Sequence, residues 1–223
     1  NQFTLNAGAD IEQDEKMYVR TGDFDGDSLD EFVVAFRDVD DSVHLCLYDV
    51  DSTLQATLVT NYSNTKVLGS SVAYFVKYFI ETADLNGDGV DEIILSTWET
   101  GVTTTAVPIT IRIYAIDNGV FVPKGMRVIE VPRFSGSLEY FAMALSSGQF
   151  DYDEENELVF SAAFKWSNSN ASSRHYKLNV INNLQSIIQD VPLALNLEAH
   201  EVNTLSEFSL ATGDLNNNGR DEI

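Results

Sequence analysis

Four short acidic segments carry the residues of this sequence that could do chemistry. Each places side-chain oxygens at alternate positions ahead of a glutamate. They read TGDFDGDSLDEF (21–32), TADLNGDGVDEI (82–93), SGQFDYDEENEL (147–158) and TGDLNNNGRDEI (212–223). Ca²⁺ takes six to eight hard oxygen ligands at about 2.3–2.6 Å, and a tight loop with alternating side chains can supply them around one centre. The segments therefore predict loops that bind a divalent cation.

Three of the segments offer a full ligand set of alternating side chains, one backbone carbonyl and the glutamate. The predicted ligands are Asp23, Asp25, Asp27, the Leu29 carbonyl and Glu31 in the first loop; Asp84, Asn86, Asp88, the Val90 carbonyl and Glu92 in the second; and Asp214, Asn216, Asn218, the Arg220 carbonyl and Glu222 in the fourth. Gly87 and Gly89 permit the sharp turning that convergence requires. The segments lack His and Cys, which disfavours transition metals, and Mg²⁺ usually prefers to keep its waters.

The third segment departs from this pattern. Gln149 replaces the first acid, and Tyr152 and Glu154 stand where the second loop has its glycines. Asp151, Asp153 and Glu157 remain as candidate ligands. Two alternatives stay open for this loop: weak cation binding, or folding without metal through side-chain hydrogen bonds.

Two other readings of the acidic segments are less favoured. An EF-hand needs a glutamate at position twelve and flanking helices, whereas that position falls on Val34 or Leu95 inside apolar, strand-like stretches. A solvated acidic turn would explain one isolated segment, because Asp, Asn and Gly favour turns. It does not explain the same segment four times at intervals of 61, 65 and 65 residues.

The stretches between the acidic segments have the composition of β-strands. Apolar runs rich in branched and aromatic residues follow each loop, and turns with Asp, Asn or Gly separate the later ones. The predicted second strands are 32–36, 93–98 and 158–164; the third are 43–49, 109–115 and 175–181; the fourth are 54–60, 120–131 and 184–190. Pro123 suits an edge strand, because proline cannot donate to a ladder. No convincing amphipathic helix appears in the sequence.

Four strands in each repeat predict a segment of an all-β fold, a β-propeller of four-stranded antiparallel blades. The alternative is a β-sandwich with acidic turns, which does not need one loop at a fixed period. The segment covers 1–223, with repeat units at about 17–60, 71–131, 138–191 and 204–223. The last unit stops where its second strand should begin, so we expect a fragment of a longer protein with further blades or domains.

The loops GDFDGDSLDE, ADLNGDGVDE and GDLNNNGRDE resemble the calcium loops of FG-GAP/VCBS-type repeats, as in the integrin α-subunit β-propeller. The resemblance covers the chain as a periodicity, and its motif is the twelve-residue segment of each unit. It implies that each loop joins the first and second strands of a blade, and that calcium rigidifies the propeller.

Composition limits the function classes. Asp and Glu number 35 against 13 Lys and Arg, which gives a formal charge of −22. Nucleic-acid binding needs a basic footprint and is excluded, and anionic lipid is disfavoured for the same reason. No apolar run is long enough to span a membrane. The single cysteine, Cys46, excludes an intramolecular disulfide and is predicted to be a buried strand residue.

The sequence predicts recognition, not catalysis. We found no nucleophile elbow, metalloprotease motif or phosphate-binding loop, and the histidines His44 and His175 fall in predicted third strands. The expected function is a calcium-stabilised, secreted or cell-surface propeller for adhesion or for recognition of a protein or glycan ligand. An extracellular location follows from the millimolar calcium that such modules need. The alternative is part of a secreted carbohydrate-active enzyme, either a propeller lyase or an accessory domain of a hydrolase.

Aromatic residues in or beside the predicted loops away from the acidic segments are candidates for ligand contact. These residues, with one cation, are Trp98, Trp166, Phe134, Tyr62 and Arg133. They could stack on sugar or anchor a protein, or they could merely pack between blades. Asn61 and Asn170 lie in sequons and are candidate glycosylation sites if the protein is a secreted glycoprotein.

Overall fold

The computed structural model describes residues 16–39, 42–64, 76–99, 106–132, 138–151, 153–166, 175–181, 190–192 and 209–223. Within these ranges the chain consists of strands, turns and bends without any helix, which confirms the all-β prediction. Consequently the same ranges contain no helix that is long and apolar enough to cross a membrane. The described strands form three four-stranded sheets.

The first sheet contains β1 (Tyr18–Gly22), β2 (Glu31–Arg37), β3 (Val43–Val50) and β4 (Ala56–Asn64), in that order and antiparallel. β2 and β3 are the central strands, and their near-continuous apolar runs are buried. Cys46 is buried in β3, as predicted. The Asp51 carboxylate accepts hydrogen bonds from the Thr53 hydroxyl and from the Gln55 and Thr53 N–H groups, which shapes the turn before β4 and lowers the pKa of Asp51.

The second sheet contains β5 (Val76–Ala83), β6 (Glu92–Glu99), β7 (Ala106–Asp117) and β8 (Val120–Pro132), in that order. The turn between β7 and β8 has positive φ at Asn118 and Gly119, which favours asparagine and glycine there. β8 is the edge strand of this sheet, so the predicted position of Pro123 on an edge is confirmed.

The first two sheets belong to one compact unit, residues 1–83 and 89–129. One cluster of its core joins the two sheets: β2 and β3 contribute Val33, Leu45 and Leu47, while β5 and β6 contribute Ile80, Ile93 and Leu95. Phe24 from the first acidic segment is fully buried in the same cluster. The first acidic loop is therefore anchored to the core by its second residue.

The third sheet, with β9 (Leu138–Gly148), β10 (Glu157–Trp166), β11 (His175–Ile181) and β12 (Asp190–Pro192), belongs to a second unit, residues 84–88 and 130–223. Its strands are antiparallel, and β9 and β10 pair over their full length. The fourth strand was predicted at 184–190; residues 184–189 lie outside the described ranges, and β12 begins at Asp190.

Candidate metal centre

All four acidic segments are closed by the same backbone pairing. The first three join the first and second strands of a sheet, at β1–β2, β5–β6 and β9–β10. In every case the residue before the first ligand position pairs with the glutamate: Gly22–Glu31, Ala83–Glu92, Gly148–Glu157 and Gly213–Glu222. The constant spacing found in the sequence is therefore the length of a loop whose two flanking residues pair with each other.

The glutamate that ends each loop turns back onto it. Glu31 Oε2 accepts a hydrogen bond from the Phe24 N–H at 2.9 Å, and Glu157 Oε2 accepts one from Phe150 at 2.7 Å. Glu222 makes the same bond with Leu215 at 2.9 Å. This contact fixes the carboxylate beside the alternating ligands, at the base of the loop.

Burial makes two of these glutamates difficult to ionise. Glu31 is 5% exposed and Glu157 is 2% exposed. Desolvation raises the pKa of each from 4.5 to about 7; the backbone N–H bond opposes this rise, and the neighbouring acidic side chains add to it. A cation bound in the loop would supply the positive charge that favours the ionised form.

The first loop is curled by its own side chains. Asp23 accepts hydrogen bonds from the N–H groups of Gly26 (2.7 Å) and Ser28 (2.8 Å). Asp25 Oδ1 accepts from Asp27, and Asp27 Oδ1 accepts from Leu29, each residue bonding the second one after it. Left-handed backbone at Gly26 (φ 80°) and Ser28 (φ 68°) completes the curl. Alternate side chains thereby face one centre, as the spacing predicted.

The first loop fits a cation. One carboxylate oxygen from each of Asp23, Asp25 and Asp27 lies within 4.8 Å of the other two. Ligands on opposite sides of a calcium ion are about 4.6–5.2 Å apart, twice the bond length, so one ion could contact all three. Glu31 is not part of this cluster; it stands at the base of the loop, bonded to the backbone. The donors are hard oxygens, which suits Ca²⁺ or Mg²⁺.

The third loop forms a second cluster. Oxygens of Asp151, Asp153 and Glu157 lie within 4.8 Å of one another. Gln149 curls this loop in a different way: its Oε1 accepts from the Asp151 N–H, while its Nε2 donates to the carbonyl oxygens of Asp153 and Glu155. The described part of the loop has no left-handed residue, so Glu154 does not reproduce the backbone of Gly89.

The second loop is divided between the two units, with Asp84–Asp88 in one and Gly89–Glu92 in the other. In the first part Asp84 Oδ1 accepts from the Gly87 N–H at 2.8 Å, and Asn86 Oδ1 accepts from Asp88 at 3.0 Å. Glu92 is 2% exposed at the start of β6. Gly87 and Gly89 both have positive φ, which confirms their predicted role in the turning.

The fourth loop has the same local hydrogen bonds without a full strand on either side. Asp214 accepts from the N–H groups of Asn218 (3.0 Å) and Gly219 (2.8 Å), which lowers its pKa. Asn218 Oδ1 accepts from Arg220, again two residues on. The side-chain N–H of Asn216 donates to Glu222 Oε1. The Asn216 amide would have to rotate by about half a turn before its oxygen could serve as a ligand in that place.

Contacts between successive acidic segments escaped the sequence analysis. In the second, third and fourth segments, the N–H of the residue before the glutamate donates to the carbonyl oxygen of the first ligand position in the preceding segment: Asp91 to Asp23 (2.8 Å), Asn156 to Asp84 (2.9 Å) and Asp221 to Gln149 (2.6 Å). A hydroxyl residue stands two positions before the first ligand position in every segment: Thr21, Thr82, Ser147 and Thr212. The Thr82 hydroxyl donates to the Thr21 carbonyl, and the Thr212 hydroxyl donates to the Ser147 carbonyl. The recurring hydroxyl was the signal available in the sequence, but its partner is set by the tertiary structure.

The structure places the candidate contact and glycosylation residues in strands or outside the described ranges. Asn61 and Tyr62 belong to β4 and not to a loop, and Tyr62 packs on Tyr114 and Phe121. Trp98 is 4% exposed in β6, which supports the packing alternative. Trp166 ends β10; Arg133, Phe134 and Asn170 lie outside the described residues.

His44 lies in β3, as predicted, and its Nε2 is 2.7 Å from Asp38 Oδ2. Asp38 also accepts a hydrogen bond from the Ser42 N–H and donates its own N–H to the Ser42 carbonyl. The Phe36 ring stacks on the imidazole at 5.0 Å. These contacts give His44 a structural role in the connection between β2 and β3.

Comparison of the chain with protein-family models, with curated proteins and with solved structures gives no match. The function is therefore inferred from the geometry of the acidic loops and from the arrangement of the sheets.

Proposed function

We propose that this chain is a segment of a calcium-stabilised β-propeller that works by recognition and not by catalysis. The observation that carries the proposal is the convergence of Asp23, Asp25 and Asp27, whose carboxylate oxygens lie within 4.8 Å of one another in a loop closed by strand pairing. The proposal assigns calcium to the first, second and fourth loops, with the ligands predicted from the sequence.

Charge is the physical reason for a cation. Three carboxylates at this spacing repel one another, and each uses only part of its acceptor capacity on backbone N–H groups. The whole chain carries −22, so one dication in each of these three loops would bring the formal charge to −16. A hard divalent ion offsets part of the negative charge of the loop. It also holds together the two strands that the loop connects, which gives calcium a structural role.

The packing of the first unit supports the propeller. β1 and β5, the first strands of successive sheets, lie against each other: Tyr18 contacts Tyr78 and Phe79, with ring centroids 5.3 and 4.8 Å apart. Arg20 Nε is 3.2 Å from Glu81 Oε2. Blades that radiate from an axis bring their first strands together in this way, while their fourth strands lie at the edges.

Extracellular recognition follows from the ion that the loops would need. Extracellular calcium modules bind at about 10⁻⁴–10⁻³ M, so saturation requires a compartment with millimolar calcium. The ligand class is a protein or a glycan bound by loops away from the acidic segments. Among the residues that the structure describes, no observation favours the alternative of a carbohydrate-active enzyme.

The calcium assignment can be tested by thermal denaturation of the protein with millimolar Ca²⁺ and after chelation. We expect calcium to raise the melting temperature, and Asp25→Asn to reduce that rise. Asp49→Asn removes the same charge from an exposed strand residue outside the loops and should leave the rise unchanged. Equal calcium responses in all three proteins would refute calcium binding in the first loop.

Recognition and catalysis can be separated on immobilised glycans and extracellular matrix proteins. The calcium-loaded protein should be retained on one of these surfaces, and the retained glycan should keep its length. Release of shortened or unsaturated sugar would overturn the recognition role in favour of the enzyme alternative.

A further inference from the structure

The third loop contains a buried carboxylate oxygen that the described residues leave without a partner. Glu157 is 2% exposed, and its Oε2 is satisfied by the Phe150 N–H. Its Oε1 is buried and has no hydrogen-bond partner among the described residues. Oε2 of the nearby Glu155 is in the same situation. Leaving such a group unsatisfied destabilises the folded state, and more so when the group is charged.

The carboxylate that carries this oxygen lies beside other acceptors. Glu157 belongs to the cluster with Asp151 and Asp153, whose oxygens all lie within 4.8 Å. Asp151 Oδ1 and Asp153 Oδ1 accept N–H bonds from Asp153 and Glu155, which positions the two side chains. A carboxylate cannot donate a hydrogen bond to another carboxylate when both are ionised, so a positive ligand is what would satisfy the ionised cluster.

Gln149 accounts for the shape of the loop without an ion. Its amide nitrogen donates to the Glu155 carbonyl at 3.0 Å and also to the Asp153 carbonyl. The Glu155 carbonyl stands at the position of the Leu29, Val90 and Arg220 carbonyls, which are the backbone ligands assigned in the other loops. The amide therefore takes the place of the ion at that carbonyl and leaves the three carboxylates facing one another.

We infer that the third loop binds a hydrated divalent cation through the carboxylates of Asp151, Asp153 and Glu157 alone, while Gln149 holds the Glu155 carbonyl. The inference rests on the proposed function for the class of ion. With one acid and one carbonyl fewer than the first loop, the site leaves more coordination positions to water. Ca²⁺ and Mg²⁺ share this chemistry, and Mg²⁺ tolerates water ligands better.

The number of bound ions per chain tests the inference. The protein is dialysed to equilibrium against Ca²⁺, or against Mg²⁺ in a parallel arm, and the bound metal is measured by elemental analysis. We expect Glu157→Gln and Asp153→Asn each to lose one ion. Glu154→Gln lies in the same loop, is exposed and is outside the cluster, so it should keep the wild-type number. Circular dichroism confirms that each variant is folded.

Asp25→Asn, in the first loop, separates this inference from the proposed function, because Asp25 belongs to the first-loop cluster. If Asp25→Asn loses an ion and both third-loop variants keep all of theirs, the inference is overturned and the proposed function stands. If only the third-loop variants lose one, the inference stands and the assignment of the first loop fails. A wild-type chain that binds neither ion overturns both.

Gln149→Asp tests the positioning role of the amide. The substitution frees the Glu155 carbonyl and adds a ligand charge, so calcium affinity at this loop should rise by about tenfold. After chelation the same variant should melt at a lower temperature than the wild type, because it loses the amide's donor bonds and gains a repelling charge. A melting temperature lowered equally with and without calcium would show a purely structural role and overturn the assignment.

Discussion

The backbone N–H of Asp91 donates a hydrogen bond of 2.8 Å to the carbonyl oxygen of Asp23, the first ligand position of the preceding repeat. Asp221 has the same relationship with Gln149, at 2.6 Å. In both places the aspartate side chain also approaches the glycine that precedes the accepting residue: Asp91 approaches Gly22, and Asp221 approaches Gly148. Within each unit, one acidic loop is thus positioned by the next, and a change in one reaches the other.

Gly22→Ala should destabilise the protein through this contact. A Cβ at Gly22 would lie 2.4 Å from Asp91 Oδ2 and 3.1 Å from its Cβ, so the aspartate would have to move. The obstructing oxygen is the end of a flexible side chain, which keeps the expected cost at about 1 kcal/mol. Thermal denaturation should show a melting temperature lower by about 2–4 °C.

Gly213→Ala is the matched control, because a Cβ at this equivalent position meets nothing within 4 Å. It should change the free energy of unfolding by less than about 0.5 kcal/mol. In the double variant Gly22→Ala/Asp91→Ala the obstruction is absent, so the two costs should not add. Additive costs would mean that the Asp91 side chain does not set the effect of Gly22→Ala.

Ser28→Gly should stabilise the protein. Ser28 has φ 68°, a left-handed conformation that the equivalent Gly89 and Gly219 adopt with φ 85° and 83°. Relief of this strain favours glycine by about 1–2 kcal/mol, and the greater freedom of glycine in the unfolded chain offsets part of it. We expect a net gain of about 0.5–1 kcal/mol in urea denaturation, with or without calcium.

Ser63→Gly provides the comparison, because Ser63 is an exposed strand residue of β4. Glycine in a strand interior costs free energy, so this variant should be less stable than the wild type. Destabilisation by Ser28→Gly of the same size would contradict the strain argument.

Local pattern predicted the strands and the loops between them, because alternation, apolar runs and turn residues act over short distances. It misplaced Tyr62, because β4 continues to Asn64 by pairing with Val43 and His44, and the Tyr62 ring packs on Tyr114. The length of that strand is decided by its pairing with β3 and by contacts with another sheet of the same unit, which a local pattern does not contain.

The candidate site was predictable to the same extent. The alternating Asp23, Asp25 and Asp27 do converge, since side-chain bonds two residues apart curl the loop locally. The pairing of Gln149 with the Glu155 carbonyl was not predictable, because an amide can present either its oxygen or its nitrogen. Contacts between Asp91 and Gly22 join different repeats, so no single segment reveals them.

Glu92→Gln should reduce the calcium-dependent rise in melting temperature. Glu92 is 2% exposed at the start of β6, opposite Ala83, at the position of Glu31 and Glu157. The glutamine keeps the volume but removes the charge that would balance a cation. Glu154→Gln, an exposed residue of another acidic loop, serves as the control. If the melting temperature of Glu92→Gln responds to calcium like that of the wild type, the ligand assignment in the second loop is wrong.

The cation-free protein should lose stability as the pH rises from about 5 to 8. Folding raises the pKa of Glu31 and of Glu157 from 4.5 to about 7, chiefly by burial, so the folded state binds more protons than the unfolded state within this window. The resulting stabilisation is complete below pH 4.5 and is lost as the pH passes through about 7. Melting temperatures of metal-stripped protein across this range should therefore fall, and the double variant Glu31→Gln/Glu157→Gln should give a flatter profile.

Saturating calcium should remove the fall, because the ion favours the ionised glutamates. A melting temperature of the stripped wild type that rises over the same range would show that the two carboxyl groups are not held in their protonated form by folding.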